Sequence, residues 1–229
     1  MRFGDIPDRI SYDMPVGIPD NAADWTVRPE RAYLLVHDMQ RYFLRPLDSA
    51  AAPGAQLVSN IRALRAACAE RGIPVGYTAQ PGGMDRLQRG LLRDFWGDGM
   101  TTDESDREIV PELAPAPGDD VYTKWRYSAF HRSVLAERMA RLGRDQLVVC
   151  GVYAHVGVLM TACDAFTRDI QPFLVADAVA DFTAEDHRMT LDYAARRCAY
   201  VQSTADLLAD LDAGEALSAA GRDTDRGRG

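Results

Sequence analysis

The sequence predicts an α/β protein: a single-domain, Rossmann-like three-layer sandwich built on a mainly parallel sheet of about six strands. Three observations predict it. Strand-like runs at 31–38, 73–80, 119–124, 145–153, 171–177 and 199–203 alternate with helix-like stretches, the order of βαβ units. The runs Ile73–Thr78 and Gln146–Val152 are largely apolar rather than alternating, as in strands covered on both faces. The chain has 229 residues, 47% hydrophobic and 26% charged, which suits one soluble domain with a sizeable core.

Residues 1–29 hold four prolines and no sustained period, so they read as an extended arm that wraps the domain or reaches a partner subunit. The domain itself is expected over 30–213. From Gly54 to Arg71 the residues Leu57, Val58, Ile61, Leu64 and Cys68 keep a helical spacing, and Gly72 stops the helix. A shorter helix is expected from Ser133 to Leu142, closed by Gly143. Val156 to Arg168 is apolar and small, as in a helix packed close to a sheet. Thr183-Ala184-Glu185-Asp186 opens another helix with a capping-box pattern, and Asp206–Leu211 suggests a last one. The segment 81–118, rich in Gly, Pro and charge, is expected as a long functional loop, with Arg89, Phe95 and Trp96 as lid or pocket residues. The tail 214–229 is low in hydrophobics and expected to be disordered.

The net charge of −8 argues against non-specific binding to nucleic acid or an anionic membrane. Yet Arg86, Arg89, Arg93, Lys124 and Arg126 gather in the middle third, either as a solvated basic face or as a site for a small anion. No stretch approaches the roughly 18 apolar residues of a membrane span, and the N-terminus lacks a signal-peptide h-region. Cys68, Cys150, Cys163 and Cys198 show no CxxC spacing and read as buried free thiols of a cytoplasmic protein. The four histidines form no HxH or HExxH motif, so neither a metal nor a cofactor is expected.

Asp38 follows the apolar run Ala32–Val36. An acid at the C-terminal end of a buried strand sits where open α/β sheets place their chemistry. It reads as a general acid or base, or as a helix cap or ion-pair partner. Burial raises a carboxyl pKa, a nearby Lys124 lowers it and a bound dianion raises it again, so its protonation state stays open. Lys124, in Lys124-Trp125-Arg126-Tyr127, is either a carboxylate-binding group or a snorkelling surface lysine. Trp125 and Tyr127 read as pocket wall or core. The loop from Gly151 to Gly157 matches neither dinucleotide nor P-loop spacing, but the helix after Gly157 offers N–H groups to an anion. No serine sits in a nucleophile elbow.

Three pieces, Val36-His37-Asp38-Met39-Gln40, the strand end at Lys124 and Gly151-Val152-Tyr153-Ala154-His155-Val156-Gly157-Val158, together resemble the isochorismatase-like hydrolase superfamily over roughly residues 25–208. Its thiol-dependent branches use an Asp-Lys-Cys triad. Here Gly157 stands at the cysteine position, and Cys150 and Cys163 fall elsewhere, so the resemblance implies the branch without a covalent cysteine. His37–Leu47, Tyr77–Gly82, Thr123–Phe130 and Tyr153–Val158 resemble the phenazine-type 2-amino-2-deoxyisochorismate hydrolases within it. The siderophore isochorismatases share several of these words. Many of them carry a C-terminal aryl carrier domain, and the tail here has no carrier-like serine motif, so a stand-alone enzyme is expected.

The resemblance implies hydrolysis of the enolpyruvyl vinyl ether of 2-amino-2-deoxyisochorismate in phenazine or anthranilate-derived antibiotic biosynthesis. Its alternative is an isochorismatase of catechol siderophore biosynthesis. By the same resemblance Asp38 protonates the methylene carbon beside Lys124. Gln80, Arg89, Tyr153 and Gly157 line the anionic pocket, Phe43, Trp96 and Tyr127 wall it, and the Val152–Tyr153 peptide is cis. The expected partner is a small chorismate-derived anion, and the expected assembly a homodimer. An amidohydrolase of the same fold and a non-catalytic binding protein are the competing readings.

Overall fold

The computed structural model describes residues 6–214, so the expected tail, Gly214 apart, lies outside the described residues. Six strands form one sheet: β1 (Ala32–His37), β2 (Val75–Ala79), β3 (Asp120–Thr123), β4 (Gln146–Val152), β5 (Gln171–Ala180) and β6 (Tyr200–Gln202). All pairings are parallel, in the order β3-β2-β1-β4-β5-β6. Every strand expected from the sequence is present. Strand β5 runs three residues further than its apolar run suggested. A register shift between Val149 and Gly151 lets Val152 pair with Ala180, which carries the chain on to Phe182.

The strand residues alternate between two cores. Leu34, Val36, Val148, Cys150 and Phe173 face α2 (Gly54–Glu70), through Leu57, Ile61 and Leu64. Tyr33, Leu35, Leu147, Val149 and Leu174 face the other layer. That layer is α6 (Leu135–Arg141), α7 (Leu159–Thr167) and α8 (Ala184–Arg197). Burial on both faces is why these strands read as continuous apolar runs. The capping pattern at Thr183 holds: its side chain accepts the Asp186 amide at 3.0 Å. Residues 204–214 form the last helix.

The segment 81–118 is not the plain loop expected. It contains α3 (Arg86–Arg89), α4 (Leu92–Trp96), α5 (Glu104–Arg107) and a 3-10 turn (Pro111–Leu113). Helices of four or five residues show no period in a sequence, so only their caps betray them. Asp85 and Gln88 form a reciprocal capping box, and Asp103 accepts the Ser105 amide. One further short helix, α1 (Arg41–Leu44), follows β1.

Of the two readings of the arm, the structure shows it against its own domain. Ile10 is buried, bridges to Leu47, and donates its N–H to the Pro46 carbonyl at 2.8 Å. Asn21 brackets Val201 with hydrogen bonds of 2.8 and 2.7 Å.

The strand order reverses between β1 and β4, which opens a crevice at the C-terminal ends of these two strands. Gly151 makes that junction possible. Its φ is +112°, and a Cβ there would strike the backbone of His37, 2.8 Å from its nitrogen.

Candidate active site

Asp38 leaves β1 in a left-handed turn, φ +51°, a conformation short polar residues tolerate. This turn aims its carboxylate back over the sheet edge. Oδ1 accepts the Thr78 hydroxyl at 2.5 Å, and Thr78 in turn accepts the Asp38 N–H at 3.0 Å. Thr78 ends up there because its register partner on β1 is His37. Oδ2 lies 2.9 Å from Lys124 Nζ. Lys124 follows β3 and is held by its N–H on the Ala79 carbonyl at 2.8 Å. It is 3% exposed, so the surface-lysine reading fails. Three adjacent strands thus deliver acid, hydroxyl and ammonium to one point.

Burial alone would raise the Asp38 carboxyl. The Lys124 charge, His37 and the Thr78 hydrogen bond outweigh that and hold it below the usual carboxylate range. Burial pushes the Lys124 ammonium down, and Asp38 only partly restores it. Replacing Lys124 strands a buried carboxylate. Lys124→Met is expected to cost about 3–5 kcal/mol at pH 7.5, and less at pH 5, where the unpaired Asp38 takes up a proton; urea unfolding at both pH values measures this.

His37 is fully buried beneath the pair. Its Nδ1 donates to the Val152 carbonyl at 2.8 Å and lies 3.8 Å from Asp38 Oδ2. Burial, then the Lys124 charge, pushes its pKa down to about 4, so the imidazole is neutral. The unfolded imidazole titrates near 6.5, so the unfolded state binds more protons as the pH falls. His37 therefore contributes stability that is present above pH 6.5 and lost toward pH 4. Between pH 7.5 and 5 its loss alone is about 2 kcal/mol. His155 has the opposite sign. Burial lowers its pKa, but the hydrogen bond and charge of Asp181 outweigh this and raise it. Its stabilisation is present at low pH and fades as the pH rises through its folded pKa. Urea midpoints at pH 7.5 and 5.0 are expected to fall toward acid, and to fall further in His155→Gln.

A cavity of ≈ 340 Å³ opens over the Asp38–Lys124 pair, within the size range of small-molecule sites. It gathers all nine residues expected at the site: Asp38, Lys124, Gln80, Arg89, Tyr153, Gly157, Phe43, Trp96 and Tyr127. Phe95 and Trp125 do not line it, and Phe95 points to solvent. Arg89 is buried, fastened by Nε to the Gly97 carbonyl at 3.0 Å and by Nη2 to the Trp96 carbonyl at 3.2 Å. Burial lowers its pKa, and no carboxylate among the described residues pairs with it. Gln80 is held by Gln40, whose Oε1 accepts its N–H at 2.7 Å and whose Nε2 donates to its carbonyl at 2.9 Å. The Tyr153 hydroxyl donates to the Phe43 carbonyl, so Tyr153 presents its ring to the cavity, tilted by 56° against Phe182 with the ring centroids 4.5 Å apart. Trp96 Nε1 donates to the Tyr127 hydroxyl at 2.8 Å. The Val152–Tyr153 peptide is cis.

One expectation is corrected. The amides around Gly157 do not face an anion. The chain there forms a π-helical turn (Ala154–Val158), and the N–H groups of Val156, Gly157 and Val158 all turn to the Tyr153 carbonyl, at 3.1–3.3 Å. The His155 amide goes to Asp181 at 2.6 Å. Gly157 instead packs on the His37 ring: a Cβ would lie 2.9 Å from Nε2 and closer still to Cε1. His155, Asp181 and Asp186 bring ligand atoms within 4.8 Å of one another. Asp181 is already committed to the His155 amide and Nδ1 and to the Phe182 amide, so the cluster is a brace beneath Phe182.

Reading single residues missed several contributors. Ile6 and Asp8 of the arm, Tyr42, Leu92, Met100, Arg126, Val152, Val156 and Phe182 also line the cavity. Thr78 and Gln40 hold its groups in place. The basic cluster in the middle third was the one usable signal, for Arg126.

A buried acid–lysine pair at the switch point of a 3-2-1-4-5-6 sheet, under a cavity that also holds Arg89 and Arg126, defines the class as an α/β hydrolase. An isochorismatase domain model matches residues 32–206, and the chain belongs to the isochorismatase family. It is 58% identical over 205 residues to the phenazine biosynthesis protein PhzD1 of Pseudomonas aeruginosa, covering 89% of this chain and 98% of that protein. It is 50% identical over 208 residues to the isochorismatase of Bacillus subtilis, covering 90% of this chain and 67% of that protein. Among solved structures, a cysteine hydrolase from Pseudomonas syringae pv. phaseolicola 1448A superposes with a TM-score of 0.77 at 24% identity, over 87% of this chain and 100% of that one, which shows the shared fold. No helix among the described residues is long and apolar enough to cross a membrane.

Proposed function

We propose that this protein hydrolyses the enolpyruvyl vinyl ether of 2-amino-2-deoxyisochorismate to pyruvate and trans-2,3-dihydro-3-hydroxyanthranilate, a step of phenazine or related antibiotic biosynthesis. The observation that carries this reading is the buried Asp38–Lys124 pair facing a cavity that also holds Arg89 and Arg126. Vinyl-ether hydrolysis needs one proton delivered to carbon and cations for two carboxylates, and no nucleophilic side chain. The 58% identity to a phenazine biosynthesis protein supports the same reading. The 50% identity to an isochorismatase supports isochorismate, with the same chemistry, as the second.

Asp38 protonates the terminal methylene carbon, giving an oxocarbenium ion. Water adds to that cation and returns a proton to the carboxylate. The hemiketal then collapses to pyruvate and the ring alcohol. The free pair is an ion pair, so Asp38 must first gain a proton. A substrate dianion beside it raises its pKa, and the shortest source is Lys124 Nζ, 2.9 Å away. Arg89 and Arg126 bind the substrate carboxylates, and Gln80 a polar ring substituent. The rings of Phe43, Trp96, Tyr127 and Tyr153, with Gly157, shape the wall and exclude water. The enzyme works in the cytoplasm as a homodimer and without a cofactor.

Pyruvate release from 2-amino-2-deoxyisochorismate and from isochorismate, coupled to lactate dehydrogenase, tests this. Release is expected from both, faster with the amino substrate, and unchanged after thiol blocking with iodoacetamide. No release from either sinks the reading, and loss on thiol blocking overturns its thiol-independent mechanism.

A further inference from the structure

The cavity collects cations for an anion, yet one carboxylate in it has no such purpose. Asp8 lines the cavity together with Ile6, both from the N-terminal arm. Asp38, the other carboxylate there, is neutralised by Lys124 at 2.9 Å. Asp8 is exposed, and among the described residues it makes no hydrogen bond or ion pair. The arm does not place it there by accident of a loose end. Two residues on, Ile10 is 1% exposed and bridges to Leu47. Four residues on, the Tyr12 hydroxyl accepts the Asp181 N–H at 2.7 Å and meets His187 Nδ1 at 3.0 Å. Asp8 is therefore held at the rim by anchored backbone.

A ligand of carboxylates and hydroxyls alone finds Arg89 and Arg126 for its carboxylates but meets only repulsion from Asp8. A ligand that also carries an ammonium group meets an attractive partner. The two candidate substrates differ in that one group: an aliphatic amine, protonated at neutral pH, replaces a hydroxyl. We propose that Asp8 is a substrate-binding residue that receives the ring ammonium of 2-amino-2-deoxyisochorismate and so selects it over isochorismate. This rests on the hydrolase reading above. An unpaired rim charge serves discrimination better than overall affinity, because it favours one substrate and penalises the other.

The test is the ratio of kcat/KM for the amino substrate to that for isochorismate, read as pyruvate, in the wild type, Asp8→Asn, Asp8→Lys and Asp8→Glu. The ratio is expected to fall roughly five- to tenfold in Asp8→Asn and further in Asp8→Lys, mainly through KM for the amino substrate, and to be restored in Asp8→Glu. Raising salt should erode the wild-type preference and leave that of Asp8→Asn flat. An active wild type whose ratio is the same in Asp8→Asn and Asp8→Lys overturns the role of Asp8 and leaves the hydrolase reading standing. A wild type that releases pyruvate from neither substrate overturns both.

Discussion

Asp38→Asn is expected to lower pyruvate release by about 10³-fold while leaving the protein folded. Asparagine keeps the shape of the carboxylate and still accepts the Thr78 hydroxyl, but it has no proton to give to carbon. The backbone tolerates it, because asparagine adopts the φ of +51° at this position nearly as readily as aspartate. Alanine does not, so Asp38→Ala mixes strain with lost chemistry and makes the poorer test. The cost of Asp38→Asn falls on Lys124, whose buried ammonium loses its counter-charge and drops further in pKa. Stability should therefore recover as the pH rises past the lowered lysine pKa toward that of an unfolded lysine, whereas activity should not. Single-turnover pyruvate release and urea unfolding across pH separate the two effects. Full turnover in the variant would remove Asp38 as the acid.

Gly157→Ala is expected to destabilise by about 1–3 kcal/mol and to lower kcat with it. The space for a Cβ is taken by the His37 ring. That ring cannot step aside cheaply, since it is fully buried and hydrogen-bonded to the Val152 carbonyl. It also sits under Asp38, so any shift is transmitted to the acid. Truncating His37 opens the space, and the double variant Gly157→Ala, His37→Ala should be more stable than the sum of its singles, a coupling of about 1 kcal/mol or more. Additive losses would show that the ring yields freely. The same contact explains why this chain has no room for a thiol at position 157: a cysteine side chain begins with the Cβ that His37 excludes.

How much was legible follows from how local each signal is. The apolar runs of β1 and β4 marked strands because burial on two faces leaves its trace residue by residue. Asp38 stood out as an acid ending such a run, and the helix from Gly54 showed through its spacing. The short helices of 86–107 did not show, since a single turn has no period. Thr78 and Gln40 entered only as members of the stretches that carry the resemblance, with no role of their own. Their roles come from register and from loops that meet across the sheet edge. The anion-facing amides expected at Gly157 and the helix after it rested on a glycine before a helix, but the π-helical turn spends the N–H groups of Val156, Gly157 and Val158 on the Tyr153 carbonyl.

The sequence by itself determined the order of strands and helices, the acidic surface and the types of the reacting groups, because periodicity, charge and residue chemistry are properties of the chain read in order. Only the tertiary structure decided that Asp38 and Lys124, 86 positions apart, form a buried ion pair at 2.9 Å. It alone decided that Gly157 yields its space to His37 and that the arm carries Asp8 to the rim. Those relations depend on strand order and register, which are set by the packing of the whole sheet and by no single segment of it.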